Sequence, residues 1–236
     1  MMKPLSCLVL LSLFIANAAF ASEASIRSAM QKRFPYQKLI SVTKTPYSGL
    51  YEVVFEDQLV YTDEKLNYLF SGNVIDMRTM QNLTEAREKE LYAVNLDTLP
   101  LSQAIKSVRG NGQRKLVIFS DPNCSYCKSL EKEMANLTNA TVYIFPIPIL
   151  NGSEEKIRAV WCSPDRLKAW EDMMLKGVAP ASEKKCDTAA LTEFSQLAKK
   201  RRISTTPTLI FEDGFMKPGW MPLDLLEKQL AASSTR

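Results

Sequence analysis

The sequence predicts two folded parts of different class: a small α+β unit, one helix followed by an antiparallel sheet, and then an α/β domain carrying a helical insertion. Three observations predict it. Short apolar runs at hairpin spacing fill the chain from Leu39 to Met77. A strongly charged segment of good helix formers, Thr84 to Glu90, comes next and reads as a bridging helix. Beyond it, strand and helix patterns alternate, which implies a sheet with parallel pairs, apart from a long all-helical stretch from Ser153 to Arg202.

The elements follow in order. Lys3, the apolar run Leu5–Phe20 and the Ala19-Phe20-Ala21 site before Ser22 read as a cleavable secretory signal over residues 1–21. Its apolar run is too short for a membrane span, and Cys7 inside it should leave with it. The first unit, 22–82, opens with Ile26, Met30 and Phe34 at helical spacing, stopped by Pro35. Strands are expected at Leu39–Lys44, Tyr51–Glu56, Leu59–Thr62, Tyr68–Phe70 and Val74–Met77, with a turn at Pro46-Tyr47-Ser48-Gly49. The linker is placed at 83–93 and the second domain at 94–236.

In the second domain, Leu101, Ile105 and Val108 predict a helix closed by Gly110-Asn111-Gly112. A buried strand Lys115–Phe119, a helix with Leu130, Met134 and Leu137 on one face, and a strand Thr141–Phe145 come next. Ser163-Pro164 predicts the N-cap and first residue of an insertion helix, with Trp161, Trp170, Met173 and Met174 as insertion core. The sheet resumes at Thr208–Phe211, turns at Asp213-Gly214, and is followed by a last helix from Leu223.

Composition excludes much. The 236 residues, 46% hydrophobic, can build two modest cores. With no histidine, Ser-His-Asp and Cys-His nucleophile systems and every histidine metal site are ruled out. Four-cysteine zinc would need a second closely spaced pair, which is missing, so neither metal nor cofactor is expected. The net charge of +4 becomes +3 once Lys3, the one charged residue of the leader, is lost. The single basic run, Lys199-Lys200-Arg201-Arg202, falls at a helix end, where cations complement the dipole, and no nucleic-acid partner is expected. Of five Asn-x-Ser/Thr sites, the one at Asn123 would put a glycan against Cys124, which favours a bacterial periplasm over eukaryotic secretion. There disulfides persist. The four mature cysteines, Cys124, Cys127, Cys162 and Cys186, allow three pairings; if the first two form one unit, Cys162 and Cys186 form the other.

What survives is thiolate chemistry. Cys124-Ser125-Tyr126-Cys127 follows the apolar run Leu116–Phe119 and opens an amphipathic helix. Two intervening residues put both sulfurs on the first helical turn, close enough to bridge. The helix N-terminus favours negative charge, which suits Cys124 as the attacking thiolate. Thr205-Thr206-Pro207-Thr208 precedes a later strand and is the second element of the candidate site.

FSDPNCSYCK at Phe119–Lys128, the pair Cys162 and Cys186, and Thr206-Pro207 together resemble the periplasmic disulfide isomerases of the DsbC type, in the thioredoxin superfamily. The likeness runs over the whole mature chain, although Ser125-Tyr126 stands where the family usually has Gly-Tyr or Pro-Tyr. The resemblance implies an N-terminal dimerisation domain, a helical linker and a thioredoxin-like catalytic domain with a helical insertion. It implies Cys124 as nucleophile, Cys127 as resolving thiol, and a cis Pro207 lying against them, with Thr206, Pro207, Ser125 and Tyr126 contacting substrate. Cys162–Cys186 becomes a structural disulfide. The implied partners are misoxidised or unfolded exported proteins, a membrane-bound thiol reductase supplying electrons, and a second copy of the chain. A dithiol oxidase of the same fold and a periplasmic chaperone with secondary thiol activity are the alternative readings.

Overall fold

The computed structural model describes residues 23–180 and 186–234; the leader read in residues 1–21 lies outside them. The chain divides into two compact units, Met1–Gly72 and Asn73–Arg236.

The first unit is a helix on an antiparallel sheet. Helix α1 (Glu23–Arg33) buries Ile26 and Met30, its two apolar residues at i, i+4 spacing. Strands β1 (Leu39–Lys44), β2 (Tyr51–Phe55), β3 (Leu59–Thr62) and β4 (Leu69–Phe70) lie side by side in sequence order, all antiparallel. Ile26 and Met30 join Val42, Tyr51, Val53, Phe55 and Val60 in one core, and the Phe34 ring meets Phe55 edge-on at 5.8 Å. β4 closes one side of the sheet with Leu69 and Phe70 both exposed.

The second unit begins with a two-stranded ribbon, β5 (Ile75–Asp76) and β6 (Gln81–Asn82). Helix α2 (Leu83–Tyr92) is capped by Asn82, whose side chain accepts from the Glu85 N–H at 3.0 Å. Its far end is fastened to the body of this unit. Lys89 lies 3.5 Å from the Asp213 carboxylate and over the Phe215 ring, and the Val94 N–H donates to Gly214 O at 2.8 Å.

One expected helix is a strand. Leu101–Gln103 forms only a 3-10 turn, and Ile105–Arg109 is β7. Ile105 and Ser107 point inward while Lys106 and Val108 point out, a period of two that Leu101, Ile105 and Val108 had masked as a helical stripe. Strands β8 (Arg114–Ser120) and β9 (Ala140–Pro146) flank helix α3 (Ser125–Met134) in the chain and pair in parallel. β7 pairs antiparallel with the outer side of β9.

The insertion comprises α4 (Ser153–Trp161), α5 (Arg166–Lys176) and α6 (Ala189–Lys200). Helix α5 starts later than expected. Asp165, not Ser163, is its cap, accepting from the Lys168 N–H at 2.9 Å, while Ser163 Oγ turns back to Ala159 O at the end of α4. An Asp cap has a carboxylate to offer the helix N-terminus, and Ser163 is already spent on the preceding helix. Trp161, Trp170, Met173 and Met174 are buried. Strands β10 (Thr208–Phe211) and β11 (Met216–Pro218) and helix α7 (Leu223–Ser233) complete the unit, and the sheet order is β11-β10-β8-β9-β7. Its middle strands bury Leu116, Val117, Ile118 and Phe119 continuously, as expected of strands covered on both faces.

Candidate active site

The site stands where β8 ends and α3 begins. Cys124 is the N-cap of α3, in extended conformation and with no side-chain cap bond, so its sulfur stays available while its carbonyl starts the helix. Cys127 is a turn further in. Cys124 and Cys127 carry free thiols and are both buried, at 7% and 1% exposed, with Cys124 the nearer to the surface. Burial pushes the Cys127 thiol up to about 12, opposed by the Ser120 hydroxyl and the Asp121 N–H and reinforced by Cys124.

The second element arrives from far along the chain. Thr206–Pro207 is a cis peptide, and the Cys124 thiol donates to Thr206 O at 3.1 Å. Pro207 O accepts from the Gly219 N–H at 2.7 Å, which ties the start of β10 to the end of β11. Ser125 and Tyr126 stand outward beside Cys124, with Tyr126 63% exposed. The arrangement sets a thiol near the surface, a deeper thiol and an exposed aromatic ring around a main-chain segment. That suits exchange with an extended peptide better than capture of a small molecule.

Cys162 and Cys186 are bonded to each other, with Cα atoms 5.5 Å apart. The bond joins the end of α4 to the segment leading into α6, and beside it Trp161 Nε1 donates to Asp187 O at 3.0 Å.

Asp121 and Glu131 add to the residues that the sequence singles out. Asp121 closes an Asx turn, accepting from the Asn123 N–H at 2.7 Å, which the Asp-Pro-Asn tripeptide could have announced. Asn123 in turn donates to Asn151 O and accepts from Lys156 Nζ. Glu131, a turn beyond Cys127, is buried and accepts from Trp170 Nε1 at 2.6 Å. Nothing in the local sequence marks that pair.

Residues 17–85 match the disulfide bond isomerase protein N-terminal domain, and residues 101–234 match the thioredoxin-like domain. A Bordetella parapertussis protein named "Probable thiol:disulfide interchange protein DsbC" is 37% identical over 91% of this chain and 76% of its own. The thiol:disulfide interchange protein DsbC of Escherichia coli K12 is 25% identical over 89% of this chain and 90% of its own. A crystal structure of a disulfide interchange protein from Neisseria gonorrhoeae superposes with a TM-score of 0.55 at 38% identity, covering 58% of this chain and all of that one. The N-terminal and thioredoxin-like domain matches and the relative 37% identical over most of the chain agree: the chain belongs to the DsbC family of thiol:disulfide interchange proteins.

Proposed function

We propose that the protein rearranges wrong disulfides in exported proteins of the periplasm, with Cys124 as nucleophile and Cys127 as resolving thiol. The observation that carries this reading is the 3.1 Å contact from the Cys124 sulfur to Thr206 O, which puts the reactive thiol against a main-chain segment at the start of a strand. The Cys124 thiolate attacks a client disulfide, and a mixed disulfide forms as the client's other sulfur leaves. That freed thiol attacks another client disulfide, and the thiolate it displaces attacks the client sulfur of the mixed disulfide, forming a new client disulfide and releasing Cys124 as a thiolate. Alternatively, Cys127 attacks Cys124 and frees the client reduced. Thr206, Pro207, Ser125 and Tyr126 hold the client strand beside the thiol. Cys162–Cys186 staples the insertion and takes no part in exchange.

Repeated turnover needs Cys124 and Cys127 returned to the dithiol, which calls for a membrane-bound thiol reductase as electron donor. Residues 22–82 dimerise two chains, 83–93 link them to the catalytic domains, and 94–236 catalyse. The exposed Tyr68, Leu69 and Phe70 at the β4 edge support that role, since a short apolar edge strand on a small sheet gains from a partner. Deleting residues 22–82 tests the reading with scrambled ribonuclease and sedimentation. A monomer that still reduces simple disulfides but has lost most reshuffling is expected. A truncated monomer that reshuffles like the full chain would refute it.

A further inference from the structure

Asp121 is wholly buried at the end of β8, and among the described residues its carboxylate has four hydrogen bonds and no ion pair. Oδ1 accepts from the Asn123 N–H at 2.7 Å and from Ser153 Oγ at 2.6 Å. Oδ2 accepts from the Ile149 and Leu150 N–H groups at 2.7 and 2.8 Å. One side chain thereby ties the redox turn to the loop after β9 and to the first residue of α4. The second observation is in its main chain. Asp121 O accepts from the Cys124 N–H at 3.1 Å, and the Asp121 N–H points at Cys127 Sγ at 3.5 Å. The two peptide groups that meet at Asp121, one touching each cysteine, are thus held by a side chain that four donors immobilise.

Cys127 depends on that peptide. The residue is 1% exposed, so its sulfur gets little help from water with the charge it must acquire before it can attack. The groups aimed at it that favour the charged form are the Asp121 N–H and the Ser120 hydroxyl. Moving the Asp121 N–H by a few tenths of an ångström would weaken that contact.

We propose that Asp121 is a positioning residue for the resolving step, its buried carboxylate locking the peptide whose N–H steadies the Cys127 sulfur as that sulfur becomes a thiolate. This rests on Cys124 being the nucleophile and Cys127 the resolving thiol. Asp121→Asn breaks the lock in either amide orientation, because an NH2 group then faces either the Ile149 and Leu150 donors or the Asn123 donor. Ser153→Ala removes one bond and leaves the charge and the other three.

Oxidised glutathione is the probe. Cys124 thiolate attacks it, forming a Cys124–glutathione mixed disulfide and releasing one glutathione thiolate. Cys127 then loses its proton to solvent and attacks Cys124 Sγ. The Cys124–Cys127 bond forms, and the second glutathione leaves as a thiolate and is protonated. Attack is read on the full chain with Cys127→Ser, where the mixed disulfide persists, and resolution on the chain with both cysteines, across pH. Loss of a hydrogen bond to a developing charge predicts resolution about tenfold slower in Asp121→Asn and about threefold slower in Ser153→Ala. Attack should stay within about twofold of the parent, and the pH slope of resolution should be unchanged.

A purely structural role would slow both steps alike, so equal losses in attack and resolution overturn the proposal. So does resolution at the parent rate in either variant. Should Asp121→Asn fail to fold, Ser153→Ala decides alone by the same two rates. Failure of the Cys127→Ser chain to form any mixed disulfide at Cys124 would overturn the underlying assignment, and this inference with it, and is recognised by the attack step alone.

Discussion

Replacing Glu131 with glutamine should make the second unit more stable, and by an amount that grows with pH. Glu131 lies on α3 one turn past Cys127, with 5% of its surface exposed. Burial pushes its carboxyl up from 4.5 to about 7; the Trp170 N–H opposes the rise, Glu171 of α5 adds to it, and Arg109 of β7 opposes it. The folded protein therefore keeps a proton that the unfolded chain has already released. Its contribution to stability is complete below the unfolded value near 4.5 and is lost as pH climbs to about 7. At about 1.4 kcal/mol for each pH unit between those values, the loss is about 3 kcal/mol. Glutamine keeps an acceptor for Trp170 Nε1, now 2.6 Å from Glu131 Oε1, and never ionises. The two proteins should be nearly equal at about pH 4, with the variant ahead by about 3 kcal/mol at about pH 8. Urea unfolding followed by tryptophan fluorescence reads this unit alone, since all three tryptophans, Trp161, Trp170 and Trp220, lie in it. Stability curves that run parallel across that pH range, or a variant that falls behind as pH rises, would refute the reasoning.

Substituting serine for both Cys162 and Cys186 opens a loop between cysteines 24 residues apart. It should cost about 3 kcal/mol on the chain-entropy model, read as a lower urea midpoint, with glutathione exchange at Cys124 retained. Mild reduction should open any Cys124–Cys127 bond before Cys162–Cys186, as peptide mapping after partial alkylation would show; simultaneous opening contradicts the staple role. Gly214→Ala should lower stability by about 2–3 kcal/mol. Gly214 has φ +82°, and a Cβ there would stand 2.6 Å from Val94 O and 2.8 Å from Val94 N, backbone atoms with nowhere to go.

What the sequence made legible is local chemistry. Ile26 and Met30 announce α1, the hairpin spacing announces β1 to β4, and the cysteine pair after an apolar run announces the head of α3, because in each case the deciding contacts fall within a few residues. The errors are also local, and both arise where two patterns share residues. Ile105 and Val108 fit a helical stripe until the inward Ser107 shows a strand, and Ser163-Pro164 fits a cap until Asp165 outbids it. The polar scaffold of the site is illegible for a different reason. Cys124 meets Thr206 across 82 residues, Glu131 meets Trp170 across 39, and Asp121 meets Leu150 across 29. No periodicity encodes such pairs; each is set by where the sheet order brings a donor within reach of a buried acceptor. Burying an unpaired polar group costs enough that the fold tolerates Asp121 and Glu131 only with partners in place. The redox turn and α3 are therefore joined to the insertion at several points, by Asp121 and Asn123 to α4 and by Glu131 to α5. A domain whose thiol geometry depends on those joints has reason to staple the far end of α4 with Cys162–Cys186, since slack in the insertion would reach the cysteines through them.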